Sequence, residues 1–358
     1  MRNESHTLSR RGFLTAAAGG VALSLLPAAP PRRAAAATTA AATTAALACW
    51  GDSLTYGVGG GGVTYPDLLA ARFGVTVYNG GVIGERSSGV AARQGGRLPV
   101  VSVPAPFGEP LPPRTFRVNL DQALPWYERT MVIQEEGTLH GNLGGVPGIL
   151  NKQGDYRNEF TPYYFTRDNG ADRPPPGTFS TDTGVEYEGV DQIIWCGHND
   201  LRLIDAPNVP PGLGAQAQDL VRGNLAKMAA YAEGAAGPDR YLVLSLLNGK
   251  GAGNGRTTTG RPTEYYENVV MSLNPRLAAE LGPAHYLDVR TWLVQEALAY
   301  GGLEPTAKDL RDIEEDIPPS SLTVPSNTDP HLNALGYTLL ARYLGDRLVQ
   351  LGWYPANG

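Results

Sequence analysis

The chain has 358 residues and a hydrophobic fraction of 42%, which suffices for one large domain or two smaller ones with an extensive core. Its net charge is −6 and no basic block follows residue 33, which argues against a nucleic-acid partner. Neither Cys49 nor Cys196 lies in a Cys-x-x-Cys motif or a Cys/His cluster, which argues against a zinc site. The two cysteines either form a disulfide or remain buried free thiols, and we favour the free thiols.

The amino terminus has the pattern of an export signal. Arg10 and Arg11 precede a short apolar stretch at 14–29, and an Ala/Thr tract at 34–46 offers several small-residue cleavage sites. This pattern predicts a twin-arginine signal and leader over residues 1–42, which the twin-arginine export machinery recognises as its partner. The protein is then expected to be secreted, either extracellular or in the cell envelope, without stable membrane association. The alternative is a membrane anchor, for which the apolar stretch is short and rich in glycine.

The first elements after the leader follow a strand–helix–strand order. An apolar run at 45–50 ends in Gly51, Asp52 and Ser53, which indicates a buried strand that enters a loop. A helix at 65–73, a strand at 75–78 and a helix at 87–93 follow, and this βαβ succession predicts a parallel sheet. The glycines at 57–62 lack the Lys-Ser/Thr ending of a phosphate loop, so we interpret them as a flexible rim beside the site.

From residue 99 to 188 the pattern changes to dense Pro and Gly with short β-rich pieces at 115–118, 131–134 and 163–166. We predict an inserted β-rich subdomain there, on the carboxyl edge of the sheet. The two flanking segments, 43–98 and 189–358, then form one α/β domain.

The α/β pattern resumes with further predicted elements in chain order. Strands are predicted at 191–196, 241–247 and 285–289, helices at 219–232, 265–281 and 291–300, a mobile loop at 249–255, and an acidic, proline-containing loop before residue 327. A closing helix at 334–351 has leucines, including Leu335, at three-to-four spacing, which predicts a stripe facing the core.

Polar or glycine residues follow several of these strands, and the carboxyl ends of parallel strands lie at one edge of a sheet. Ser53, Gly81, Asn199 and the loop with His331 are therefore expected to converge. Here the chain resembles the SGNH, or GDSL-type, serine hydrolases. Four blocks occur in the family's order: Gly-Asp-Ser-Leu at 51–54, Asn-x-Gly-x-x-Gly at 79–84, Gly-x-Asn-Asp at 197–200, and His331 before a terminal helix.

The resemblance implies a flavodoxin-like, doubly wound α/β fold with a five-stranded parallel sheet, and a catalytic role for each block. Ser53 is the implied nucleophile and His331 the implied general base. The backbone amides of Ser53 and Gly81 and the side-chain amide of Asn199 are the implied oxyanion hole. His198 stands at the variable position of the third block and receives no role.

The chain departs from the family at the acid of the triad. The family usually has Asp three residues before the histidine, where this chain has Thr328, and Asp329 lies two residues before His331. Asp329 is assigned as the orienting acid, and the alternative is a backbone carbonyl that leaves a Ser-His dyad.

These observations predict a secreted serine esterase that hydrolyses O-acyl, and in particular O-acetyl, esters on a carbohydrate, with a small-molecule or polysaccharide ester as its substrate. No metal or cofactor is required. One alternative is an enzyme that cleaves glycan backbones, as a glycosidase or lyase, with Asp155, Glu159 and Asp168 as candidate acids. Others are a lipase or lysophospholipase, and a sugar-binding protein with an inactive site.

Overall fold

The computed structural model describes residues 46–104, 112–120, 138–152, 162–170, 172–201, 213–236, 240–248, 266–267, 269–325 and 331–356. Eleven strands occur in these residues. In chain order the strands are β1 (Ala46–Gly51), β2 (Thr76–Gly81), β3 (Val100–Ser102), β4 (Thr115–Leu120), β5 (Thr138–Leu143), β6 (Val146–Lys152), β7 (Tyr163–Arg167), β8 (Gly177–Thr181), β9 (Asp191–Trp195), β10 (Tyr241–Leu244) and β11 (Tyr286–Leu287). The predicted leader lies outside the described residues.

The described helices are mostly short. In chain order they are α1 (Ser53–Tyr56), α2 (Tyr65–Phe73), α3 (Ser87–Gln94), α4 (Asp182–Glu186), α5 (His198–Leu201), α6 (Leu213–Ala236), α7 (Asn274–His285), α8 (Val289–Gln295), α9 (Ala297–Tyr300), α10 (Ala307–Glu314) and α11 (Ala334–Gln350). A π-helical turn, Val269–Leu273, precedes α7, and a 3-10 turn, Ser320–Leu322, follows α10. No described helix is long and apolar enough to cross a membrane.

The central sheet has five parallel strands in the order β11-β10-β9-β1-β2. β1 lies between β2 and β9, so the chain reverses its direction of winding at β1. Ligands of open α/β sheets bind at such a reversal, beyond the carboxyl ends of the strands. The predicted α/β class and parallel five-stranded sheet are confirmed.

Both faces of the sheet are covered, because alternate residues of each strand point to opposite sides. Leu47 and Cys49 of β1 join one core with α2, α8 and α11. Ala48 and Trp50 join a second core with α3, α6 and α7. This double coverage explains why β1, β10 and the last three residues of β9 form apolar runs.

The same alternation separates the two cysteines. Cys49 pairs in register with Ile193, and both lie in the core beside α2 and α11. Cys196, three residues later, lies in the core on the other face. Both are buried free thiols, so the favoured alternative is confirmed and the disulfide is excluded by the direction of the side chains.

The inserted segment contains a closed barrel of six strands in the order β3-β4-β7-β6-β5-β8. Neighbouring strands are antiparallel, and β8 pairs with β3 to close the barrel. Apolar side chains such as Leu143, Phe165 and Phe179 fill its interior. Gly144 and Gly145, both at positive φ, form the two-residue turn between β5 and β6, which is typical of a tight hairpin. The predicted strands at 115–118 and 163–166 are present, whereas 131–134 lies outside the described residues.

The barrel segment connects to the α/β domain at two points, and both lie toward the amino edge of the sheet. The prediction that the inserted subdomain lies on the carboxyl edge is therefore wrong for these connections. Gln94, the last residue of α3, donates to Gln192 at the start of β9. Thr181 at the end of β8 donates to the carbonyl of Arg93. The reason is directional: α3 runs back from the carboxyl edge, so a segment inserted between α3 and β9 begins and ends at the opposite edge.

Three further differences concern single elements. The predicted acidic loop contains α10, which starts at a reciprocal cap between Thr306 and Asp309. Helix α6 extends beyond the predicted 219–232 at both ends. Leu335 is 42% exposed, although the other leucines of the α11 stripe are buried or half-buried. The predicted mobile loop at 249–255 lies outside the described residues.

Candidate active site

Ser53 lies at the point where β1 turns into α1, at the carboxyl edge of the sheet. Asp52 caps α1 by accepting the Leu54 amide at 3.0 Å. Gly51 has no room for a side chain, because a Cβ there would lie 2.1 Å from Thr55 Oγ1 and 2.4 Å from the Trp195 carbonyl oxygen. The turn is therefore tightly packed on both sides, and Ser53 itself is 8% exposed.

His331 faces Ser53 across the site. Its Nε2 lies 2.7 Å from Ser53 Oγ, within hydrogen-bond distance. The backbone of His331 accepts the Val324 amide at 3.0 Å, next to an isolated β-bridge between Thr323 and Leu332. The imidazole is therefore presented by a short paired segment, and a hydroxyl next to an imidazole nitrogen is the arrangement of an activated serine. Asp329, the predicted orienting acid, lies outside the described residues.

Asn199 lies in α5, immediately after β9. Its Nδ2 donates to the Glu85 carbonyl at 2.9 Å, and the side chain is half-buried. A side-chain amide has two N–H donors, so one contact with Glu85 leaves a second hydrogen for a ligand. The next residue, Asp200, accepts both the amide and the hydroxyl of Ser87 at 2.8 Å, which joins α5 to the start of α3.

Gly81, predicted as an oxyanion donor, uses its amide elsewhere. The Gly81 N–H donates to Asn79 Oδ1 at 3.0 Å. A Cβ at Gly81 would lie 2.1 Å from the Tyr56 nitrogen, so the residue serves the close approach of α1 to β2. Gly84, the last glycine of the same block, is half-buried at φ 73°. The amides of Ser53 and Gly84 have no acceptor among the described residues.

His198 and Asp52 form a buried pair that the sequence analysis missed. His198 Nδ1 lies 3.0 Å from Asp52 Oδ2. The opposite ring nitrogen, Nε2, accepts the Leu247 amide at 3.0 Å. The only sequence signal is that each of these residues directly precedes a predicted site residue, Ser53 or Asn199.

The glycine-rich segment after α1 packs against the loop that contains His331. Gly59 is at φ 90°, and a Cβ there would lie 2.6 Å from the Leu332 carbonyl oxygen. The Tyr337 hydroxyl of α11 donates to the Val58 carbonyl at 3.0 Å. The segment therefore lies beside the site, as predicted, and it supports the position of His331.

The cysteines are unsuited to nucleophilic chemistry. Burial raises the pKa of the Cys49 thiol, and burial together with nearby carboxylates raises that of Cys196. Both are therefore protonated at neutral pH and lack the thiolate that a cysteine nucleophile needs. Among the described residues, no group of three or more His, Cys, Asp and Glu side chains is arranged to hold a metal ion.

The sequence matches no protein-family model and no curated protein. Among solved structures, the chain is similar to a protein from Desulfitobacterium hafniense DCB-2 assigned to the G-D-S-L family of lipolytic proteins, with 13% identity and a TM-score of 0.40. The match covers 85% of this chain and 99% of that chain. A likeness of this size contributes nothing to the functional proposal, which rests on the site.

Proposed function

We propose that the protein is a serine hydrolase that cleaves an ester through an acyl-enzyme intermediate. The observation that carries the proposal is the 2.7 Å distance between Ser53 Oγ and His331 Nε2 at the carboxyl edge of the sheet. Ser53 Oγ attacks the acyl carbonyl while Nε2 takes its proton, and the imidazolium then protonates the leaving alkoxide. Water activated by the same nitrogen attacks the acyl-serine, which releases the acid and restores Ser53.

The negative charge of the tetrahedral intermediate needs donors that point at the new oxyanion. We assign this role to the Ser53 amide and the second hydrogen of Asn199 Nδ2. Gly84 replaces the predicted Gly81 as the third donor, because the Gly81 amide already donates to Asn79. The Asn199 side chain donates to the carbonyl of Glu85, the residue after Gly84, so this hydrogen bond keeps the side-chain amide close to the glycine. The sequence blocks that resemble SGNH hydrolases support the roles of Ser53 and Asn199, whereas for the third donor the resemblance implied Gly81.

For the substrate we propose an O-acyl ester on a carbohydrate. Tyr56 is 51% exposed and lies three residues after Ser53 in α1, so the two side chains lie on the same helix face. An exposed aromatic ring beside the nucleophile suits stacking on a sugar ring. Arg10 and Arg11 support the proposal that the enzyme is exported by the twin-arginine route to polysaccharides outside the cell.

The test compares the full chain with its Ser53→Ala variant. We would follow hydrolysis of p-nitrophenyl acetate and p-nitrophenyl decanoate, together with acetate release from acetylated polysaccharides. We expect turnover of the acetate ester, faster than that of the decanoate, and its complete loss in Ser53→Ala.

Other outcomes of this test would change or overturn the proposed function. A preference for the decanoate ester would replace the carbohydrate esterase by a lipase-type enzyme. Turnover that persists in Ser53→Ala, or no ester turnover with new reducing ends on glycans, would overturn the serine hydrolase.

A further inference from the structure

The imidazole of His198 joins three segments of the chain below the site. Its Nε2 accepts the Leu247 amide, and its Nδ1 lies 3.0 Å from Asp52 Oδ2. A backbone amide can only donate, so Nε2 has no proton and the neutral ring keeps its hydrogen on Nδ1. His198 Nδ1–H therefore donates to the Asp52 carboxylate. The pair is enclosed, since His198 is 8% exposed and Asp52 is 0% exposed.

Each member of this pair directly precedes a residue of the proposed site. Asp52 precedes the nucleophile Ser53 and holds α1 through the Leu54 amide. His198 precedes Asn199 in α5. We infer that His198 is a positioning residue, whose buried ring fixes the nucleophile turn and the helix with the oxyanion amide in one arrangement. This inference rests on the proposed function.

The pair also has an electrostatic consequence. A buried carboxylate next to Ser53 opposes the negative charge that develops on the substrate oxygen, because like charges repel strongly where water is excluded. The Nδ1–H of His198 and the Leu54 amide both donate to Asp52 and disperse its charge. The Trp195 ring contacts His198 edge-on, with centroids 5.9 Å apart, and restricts the tilt of the imidazole. The donor therefore stays directed at Asp52.

Two variants separate the two hydrogen bonds of His198. In His198→Asn, the side-chain amide occupies the place of Nδ1 and retains the donor to Asp52. In His198→Gln, the side-chain oxygen occupies the place of Nε2 and still accepts from Leu247, but the donor to Asp52 is lost. Each variant loses one hydrogen bond, but His198→Gln loses the stronger one, to a buried carboxylate, so kcat is compared at a temperature where both variants are folded.

We expect a difference in kcat on p-nitrophenyl acetate, measured with the full chain. His198→Gln should lower kcat by about a hundredfold with KM changed by less than about twofold, because misplacing reacting groups by about 1 Å has costs of that order. His198→Asn should lower kcat by about tenfold or less. Equal kcat values in the two variants, or an effect confined to KM, would overturn the positioning role.

A measurement without substrate keeps this inference separate from the proposed function. Long-range ¹H–¹⁵N correlation of the ¹⁵N-histidine-labelled chain, with His198→Asn to assign the signals, should show His198 protonated on Nδ1. Protonation on Nε2 would exclude the bond to Asp52 even in an active enzyme. An inactive parent with the Nδ1–H tautomer would overturn the proposed reaction, and the positioning role for it, while the Asp52–His198 bond stands.

Discussion

His331 Nε2 lies 2.7 Å from Ser53 Oγ, although 278 positions separate the two residues in the chain. The distance is maintained from the histidine side by the bridge between Thr323 and Leu332 and by the Val324 amide. It is maintained from the serine side by the cap of α1. Nucleophile and base are thus held by separate elements that meet only in the folded protein.

Removal of the proposed base should nearly abolish turnover. We expect His331→Ala to lower kcat on p-nitrophenyl acetate by about a hundredfold to ten-thousandfold, the range for general acid–base catalysis. His140→Ala is the matched control, because His140 is exposed on β5 of the barrel. A His331→Ala enzyme as active as this control would contradict the role of His331 as the base.

Loss of the Asn199 amide should affect the transition state more than the bound substrate. We expect Asn199→Ala to lower kcat by about a hundredfold or more, as for removal of one oxyanion donor, with KM nearly unchanged. Asn119→Ala, at an exposed position of β4, should leave both constants as in the parent. A large rise in KM with unchanged kcat would show that Asn199 binds substrate without stabilising the oxyanion.

Gly59 and Gly61 form a matched pair in the segment beside His331. Both are at positive φ, 90° and 60°, so alanine strains the backbone at either position. Only at Gly59 does the new Cβ meet another segment, 2.5 Å from Val324 Cγ1 and 2.6 Å from the Leu332 oxygen. We expect Gly59→Ala to displace His331 and lower kcat by about tenfold or more, and Gly61→Ala to change it by less than about twofold. Equal effects would indicate that backbone strain, rather than contact with the His331 loop, governs this segment.

Asp309 should make stability dependent on pH in the acid range. Burial acts to raise the pKa of Asp309, but hydrogen bonds from Thr306 and Ser321 outweigh it and lower the pKa from 3.8 to about 2. Because the folded pKa lies below the unfolded one, this stabilisation is present above about pH 4 and is lost as the pH falls toward 2. The loss of this stabilisation affects the site, because Ser321 also accepts a hydrogen bond from Asn333 through its carbonyl. Asn333 caps α11 and lies two residues after His331.

The measurement is the melting temperature between pH 7 and pH 2. We expect Asp309→Asn to melt roughly 2–5 °C below the parent at pH 7, with the difference narrowing between pH 4 and pH 2. Asp168→Asn, at an exposed barrel turn, should follow the parent throughout. A constant difference between Asp309→Asn and the parent at every pH would contradict the lowered pKa.

Local patterns in the sequence determined the central layers of this protein. The apolar run that ends at Ser53, the alternation of strands with helices and the leucine stripe of the last helix each follow from side-chain periodicity, which acts over a few residues. The motif blocks predicted that Ser53 and Asn199 lie at one edge, because the parallel strands β1 and β9 end at the same side of the sheet, and His331 meets Ser53 there. The reciprocal cap between Thr306 and Asp309 is also a local sequence pattern, and it would have predicted α10.

Only the tertiary structure decided which groups meet. The separation of Cys49 from Cys196, the closure of the barrel and the bond between His198 and Asp52 all depend on strand register and on contacts between distant segments. A one-residue change of register reverses the face of every side chain in a strand, and no local pattern encodes it. The sequence therefore determined the residue types that the site needs, whereas packing between β1, β9 and β10 determined that a buried histidine supports them.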